Sequence, residues 1–105
     1  MTDNFKIIYK ILTAFEKSLD ISDFDLNEIS ADKLGISQTR LTKYFQMLVN
    51  AGYLSGISFR ENITGEIDII AENPLITIKG LEYLSENSIM QRMYKTAKGI
   101  KDIIN

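Results

Sequence analysis

The sequence predicts a mainly α fold with one small β-hairpin, and three observations carry that prediction. Apolar residues recur at helical 3-4-3-4 spacing near both ends of the chain, and two helical stretches meet at a glycine turn in the middle. Strand-period alternation then appears between residues 57 and 69. A length of 105 residues fits one domain spanning 1–105. The order helix, helix, turn, helix, hairpin, helix is that of a winged helix-turn-helix with an additional C-terminal helix.

The first helix follows from Phe5, Ile8, Leu12, Phe15 and Leu19, which fall on one face behind a cap at Asp3 or Asn4. Asp20, Ser22, Asp23 and Asp25 interrupt that pattern. Asp25 with Glu28 has the form of a capping box and predicts a second helix over 26–34, closed by Gly35 in a left-handed conformation. Ser37 then caps a third helix whose buried face is Leu41, Phe45 and Leu48, and which ends at Gly52. The helix-turn-helix therefore occupies about 26–51 and the wing about 53–71.

In the wing, Ile57 and Phe59 alternate with Ser58 and Arg60, and Ile67 and Ile69 alternate after the turn-forming Asn62-Ile63-Thr64-Gly65. Pro74 is expected to break the chain, and C-terminal helices to fill about 77–104. Thr77 caps the first of these, over Ile78, Leu81 and Leu84. Asn87 or Ser88 starts the last, whose stripe is Met90, Met93, Ala97, Ile100 and Ile104.

Composition removes most catalytic classes. The chain has no His and no Cys, which excludes zinc-thiolate or imidazole sites, nucleophilic triads and disulfides. Its best carboxylate pairs, Asp20 with Asp23 and Glu66 with Asp68, sit in capping or hairpin segments where structural duty explains them, so no enzyme and no cofactor are expected. No apolar run approaches the ~20 residues that span a bilayer, and the N-terminus lacks the order of a secretory signal. A cytoplasmic location without membrane contact is the expectation. No small-molecule ligand is identifiable.

The formal charge is −2, but its distribution is uneven. Residues 33–60 hold Lys33, Arg40, Lys43 and Arg60 without one Asp or Glu, whereas the segments on either side are acidic. An anionic partner is steered toward that stretch.

The run Lys33-Leu34-Gly35-Ile36-Ser37-Gln38-Thr39-Arg40-Leu41-Thr42-Lys43-Tyr44-Phe45 and its continuation through Leu48 to Gly52-Tyr53-Leu54 resemble the bacterial winged-helix pattern. Ser30 departs from it, standing where an apolar residue is usual, and Ile29 is expected to supply the burial. With the opening Phe5-Lys6-Ile7-Ile8-Tyr9-Lys10-Ile11-Leu12 and the run from Pro74 to Ser88, the chain resembles the YjcQ family of Gram-positive bacteria and their phages. That resemblance implies a winged-helix fold and transfers no catalytic or binding residue.

The candidate site is therefore argued from the third helix and the wing. With Leu41, Phe45 and Leu48 buried, Gln38, Thr39, Thr42, Lys43 and Gln46 fall on the outer face, suited to the major groove of DNA. Gln38 or Gln46 can pair with an adenine edge, Arg40 or Lys43 can reach guanine or phosphate, and Ser37 can meet a backbone phosphate. In the wing, Arg60 and Asn62 can touch sugar-phosphate, against the acidic Glu61 and Glu66. A DNA-binding transcriptional regulator is one expectation, homodimeric through its C-terminal helix. A winged-helix module that binds another protein is the alternative, favoured by the flanking acids.

Overall fold

The computed structural model describes residues 4–87. Helix α1 runs Asn4–Lys17 and passes into a 3-10 turn at Ser18–Asp20. A second 3-10 turn, Leu26–Ile29, leads to the short α2, Ala31–Leu34. Helix α3 spans Gln38–Asn50, followed by the antiparallel strands β1, Leu54–Glu61, and β2, Ile67–Ile76. Helix α4 begins at residue 78 and is described to residue 87. The element order is that of a winged helix. Asn87, one of the two expected starts of the last helix, lies within α4 and donates through Nδ2 to the Tyr83 carbonyl oxygen at 2.8 Å; Ser88, the apolar stripe beyond it and Asp3 lie outside the described residues.

One core joins these elements. Ile7, Ile11, Leu12 and Phe15 of α1 meet Leu41, Tyr44, Phe45 and Leu48 of α3, closed by Ile29, Leu54, Ile57, Ile76 and Leu84. The Phe15 ring is central, 5.1 Å from the Phe24 centroid and 6.2 Å from that of Phe45, edge-on at 86°. Such offset pairs add to burial alone. They fix α3 relative to α1 and so determine which face of α3 turns outward.

The buried row of α1 keeps the expected Leu12 and Phe15 but differs at its ends. Phe5 is 70% exposed and Leu19 is exposed, while Ile7 and Ile11 are buried. The helix carries two overlapping apolar rows, and packing selects the one through Ile7 and Ile11. Leu19 leaves the row because the helix tightens into the 3-10 turn at Ser18.

The second helix is also not continuous over 26–34. Asp25 accepts a bond from the Asn27 backbone N–H at 3.0 Å and caps only the 3-10 turn. Ser30 then resets the chain by accepting from the Lys33 N–H at 3.2 Å. Ser30 is thus the N-cap of α2, which accounts for a polar residue there, and Ile29 is buried in front of it as expected.

Both helix ends in this motif close with six-to-one bonds. Ile36 N–H reaches Ala31 C=O and Tyr53 N–H reaches Leu48 C=O, each at a left-handed glycine, Gly35 or Gly52. The expected glycine stops therefore hold. Ser37 caps α3, its hydroxyl oxygen accepting from Arg40 N–H at 3.1 Å.

Pro74 does not end the strand. The ladder pairs Ser55 with Leu75 and then Ile57 with Ala71, so residues 72–74 bulge opposite Gly56. Pro74 lies in that bulge, where no ladder N–H is required, and β2 continues to Ile76. Gly56 makes the bulge possible: it has φ +75°, and a Cβ there would stand 2.5 Å from the Asn73 carbonyl oxygen.

Thr77 caps α4 as expected, accepting from Gly80 N–H at 3.0 Å and donating to the Gly52 carbonyl oxygen at 2.5 Å. Ile78 is 72% exposed, against its predicted burial, while Leu84 is buried. The first residue of a helix that leans on its inner face projects past the core.

Candidate nucleic-acid interface

The outer face of α3 forms one wall of a groove of about 310 Å³, lined by Gln38, Thr39, Thr42, Lys43 and Gln46. Its other wall is the hairpin tip, Gly65, Glu66 and Ile67. The geometry arises from α3's caps and core row. Leu41, Tyr44, Phe45 and Leu48 point inward, which leaves Gln38, Thr39 and Lys43 on the outer face.

Of the predicted α3 residues, Gln38, Thr39 and Lys43 are exposed and Gln46 is half-buried. Among the described residues their side chains have no hydrogen-bond partner, and all four line the groove. The helix bears no acidic side chain. Ser37 is exposed, and its hydroxyl proton remains available while its oxygen caps the helix.

Thr42 is a correction. It is 7% exposed, and its hydroxyl donates to the Gln38 carbonyl oxygen at 3.0 Å. That i to i−4 back-bond turns the polar atom onto the helix itself. Thr42 forms the groove floor instead of a reading group.

Arg40 is a second correction. Its guanidinium donates through Nε to the Tyr44 hydroxyl oxygen at 3.0 Å and through Nη2 to Asn4 Oδ1 at 2.6 Å. The same cation stands 5.6 Å from the Tyr44 ring centroid. Arg40 therefore leans toward the N-terminus of α1, on the flank away from the wing. Lys43 borders both this flank, with Phe5 and Met47, and the groove.

In the wing, Asn62 is consumed by its own turn. Its Oδ1 accepts from Thr64 N–H at 2.9 Å and Glu66 N–H at 3.1 Å, and its Nδ2 donates to Asp68 Oδ1 at 3.3 Å. It shapes the tip and has little left for a ligand. Arg60 is exposed but stands across the ladder from Asp68, which offsets its charge locally.

The sequence reading missed Glu66 and Ile67 as groove residues, since the proximity of a hairpin tip to α3 is a tertiary fact. It also missed Asn4 and Tyr44. The Arg40 to Tyr44 spacing of four is a legible helical pair, but Asn4 is 36 positions away and carries no local signal.

Among the described residues no group of three or more His, Cys, Asp or Glu side chains is placed to hold a metal ion. No helix among them is long and apolar enough to cross a membrane.

The family model described as YjcQ protein matches residues 9–103. A protein of Bacillus subtilis (strain 168), named Uncharacterized protein YjcQ, is 29% identical over 76 residues, covering 72% of this chain and 78% of the relative. No solved structure matches the chain.

Proposed function

The chain belongs to the YjcQ family, and from that premise and the geometry of α3 we propose that it binds duplex DNA through the major groove, as a transcriptional regulator. The observation that carries this reading is the row Gln38, Thr39, Lys43 and Gln46, without side-chain partners among the described residues and lining a groove along one helix with no acid on it. A B-form major groove is wide enough to admit such a helix, and its base edges present the donors and acceptors these side chains complement. Ser37 at the helix start and Lys43 meet phosphate, which positions the helix. If two copies pair, as the C-terminal apolar stripe of the sequence suits, reading two half-sites requires their α3 helices about 34 Å apart.

A protein-binding role is the second reading, and a specific observation favours it. The wing carries Glu61, Glu66 and Asp68, and Ile63 and Ile67 are exposed at its tip. A phosphate backbone repels such a tip, whereas a basic, apolar protein surface suits it.

Fluorescence anisotropy of the full chain against duplexes of random sequence separates the two. DNA binding requires affinity that falls linearly on a log–log plot as salt rises, because bound counterions are released. A folded chain that binds no duplex at low salt moves the assignment to a protein partner.

A further inference from the structure

We infer that the DNA this chain selects is specified at A·T base pairs, with the glutamines of α3 as the reading residues; this rests on the DNA-binding reading above. The argument is one of subtraction. An arginine in the groove ordinarily reads guanine, through a bidentate pair to O6 and N7. Arg40 is the one arginine of α3, and its guanidinium is bonded to Asn4 and Tyr44 on the other flank. In this arrangement its Nε and Nη2 are engaged on that flank and not in the groove.

What remains in the groove is Gln38, Thr39, Lys43 and Gln46. A glutamine amide offers one donor and one acceptor side by side, the complement of adenine N7 and N6. Gln38 and Gln46 are eight residues apart, about 12 Å along the helix axis, so they address different base pairs. Thr39 adds a methyl group that can meet the thymine C5-methyl. Thr42 adds nothing polar, its hydroxyl being bonded to its own helix. Lys43 is a compact point charge without the planar fork of guanidinium, so it meets a phosphate or a guanine edge with less selectivity than an arginine.

The wing adds a carboxylate to the same groove. Glu66 lines the groove opposite α3. A carboxylate there repels the acceptors guanine O6 and N7 and accepts equally from adenine N6 or cytosine N4, so the wing leaves the A·T preference to the glutamines.

The test is a selection of the full chain on a fully randomised duplex pool, repeated with Gln38→Ala and Gln46→Ala. Both positions lie outside the buried core, so both variants are expected to fold, which circular dichroism checks. The expected result is enrichment of A·T pairs at two or more positions, each variant losing its preference at a different one. About tenfold discrimination should vanish per position. Enriched sites specified by guanine, or motifs unchanged in both variants, overturn the inference while leaving DNA binding intact. Failure of the folded chain to retain any duplex at low salt overturns the DNA reading itself, and this inference with it.

Discussion

The Arg40 guanidinium donates to the Asn4 side-chain oxygen at 2.6 Å, tying the start of α1 to the first turn of α3 across 36 positions of sequence. Tyr44 completes the cluster, since its hydroxyl accepts from Arg40 and donates to the same Asn4 oxygen. Because one oxygen serves two donors, the contributions of Asn4 and Arg40 are coupled. A double-mutant cycle of Asn4→Ala and Arg40→Ala should give single losses of about 1 kcal/mol each and a coupling of about 0.5 kcal/mol or more. Urea denaturation measures it. Strict additivity would mean that the cluster is not held in solution.

The same cluster separates the roles of α3's two cations. Lys43 has no partner among the described residues and borders the groove, whereas Arg40 is engaged on the flank. Lys43→Ala should therefore lower DNA affinity and reduce the salt slope by about one unit. Arg40→Ala should lower stability and change the slope less. Anisotropy titrations at several salt concentrations read both, and a larger slope change for Arg40→Ala would reverse the assignment.

The contrast shows what the sequence could and could not disclose. Caps and glycine stops are local, so Ser37, Gly35, Gly52 and Thr77 were legible, each bonding within a few residues or requiring a left-handed φ. The buried row of α3 was legible because it has one apolar stripe. That of α1 was legible at Leu12 and Phe15 only, because Ile7 and Ile11 compete with Phe5 and Ile8 for the inner face, and only the packing partner decides. Pro74 misled because its effect depends on whether its place in the strand needs an N–H, and the bulge opposite Gly56 removes that need. In the site, periodicity located the outer face but not the side chains that fold back. The bonds of Thr42 to its own helix and of Arg40 to Asn4 decide that, and the second spans two elements.

The wing tip rests on the Asn62 amide, whose oxygen holds the Thr64 and Glu66 N–H groups while its nitrogen donates to Asp68. Asn62→Ala should free both N–H groups and accelerate their hydrogen exchange, with a loss of about 1 kcal/mol. Asn62→Asp keeps an acceptor but sets a second carboxylate beside Asp68. Its exchange should be fast at low salt and slow again as salt screens the repulsion. Salt-independent exchange in Asn62→Asp would show that the Asp68 contact does not order the turn.

Gly80 offers a prediction whose sign opposes helix propensity. Replacing a helical glycine with alanine ordinarily stabilises by about 1 kcal/mol. At Gly80 the added Cβ would stand 2.5 Å from the Tyr53 carbonyl oxygen and 2.6 Å from Ile76 Cγ1. The backbone oxygen cannot retreat, because the Tyr53 carbonyl also accepts the Thr77 N–H and Thr77 is bonded to Gly52. Gly80→Ala must therefore push α4 away from the end of α3, and a loss of about 1–3 kcal/mol is expected. Glu82→Ala, at an exposed position of the same helix, should change stability by less than about 0.5 kcal/mol. Thermal melts of the two variants make the comparison. A Gly80→Ala protein that melts above the unmodified chain would refute the close seating of α4 on the helix-turn-helix.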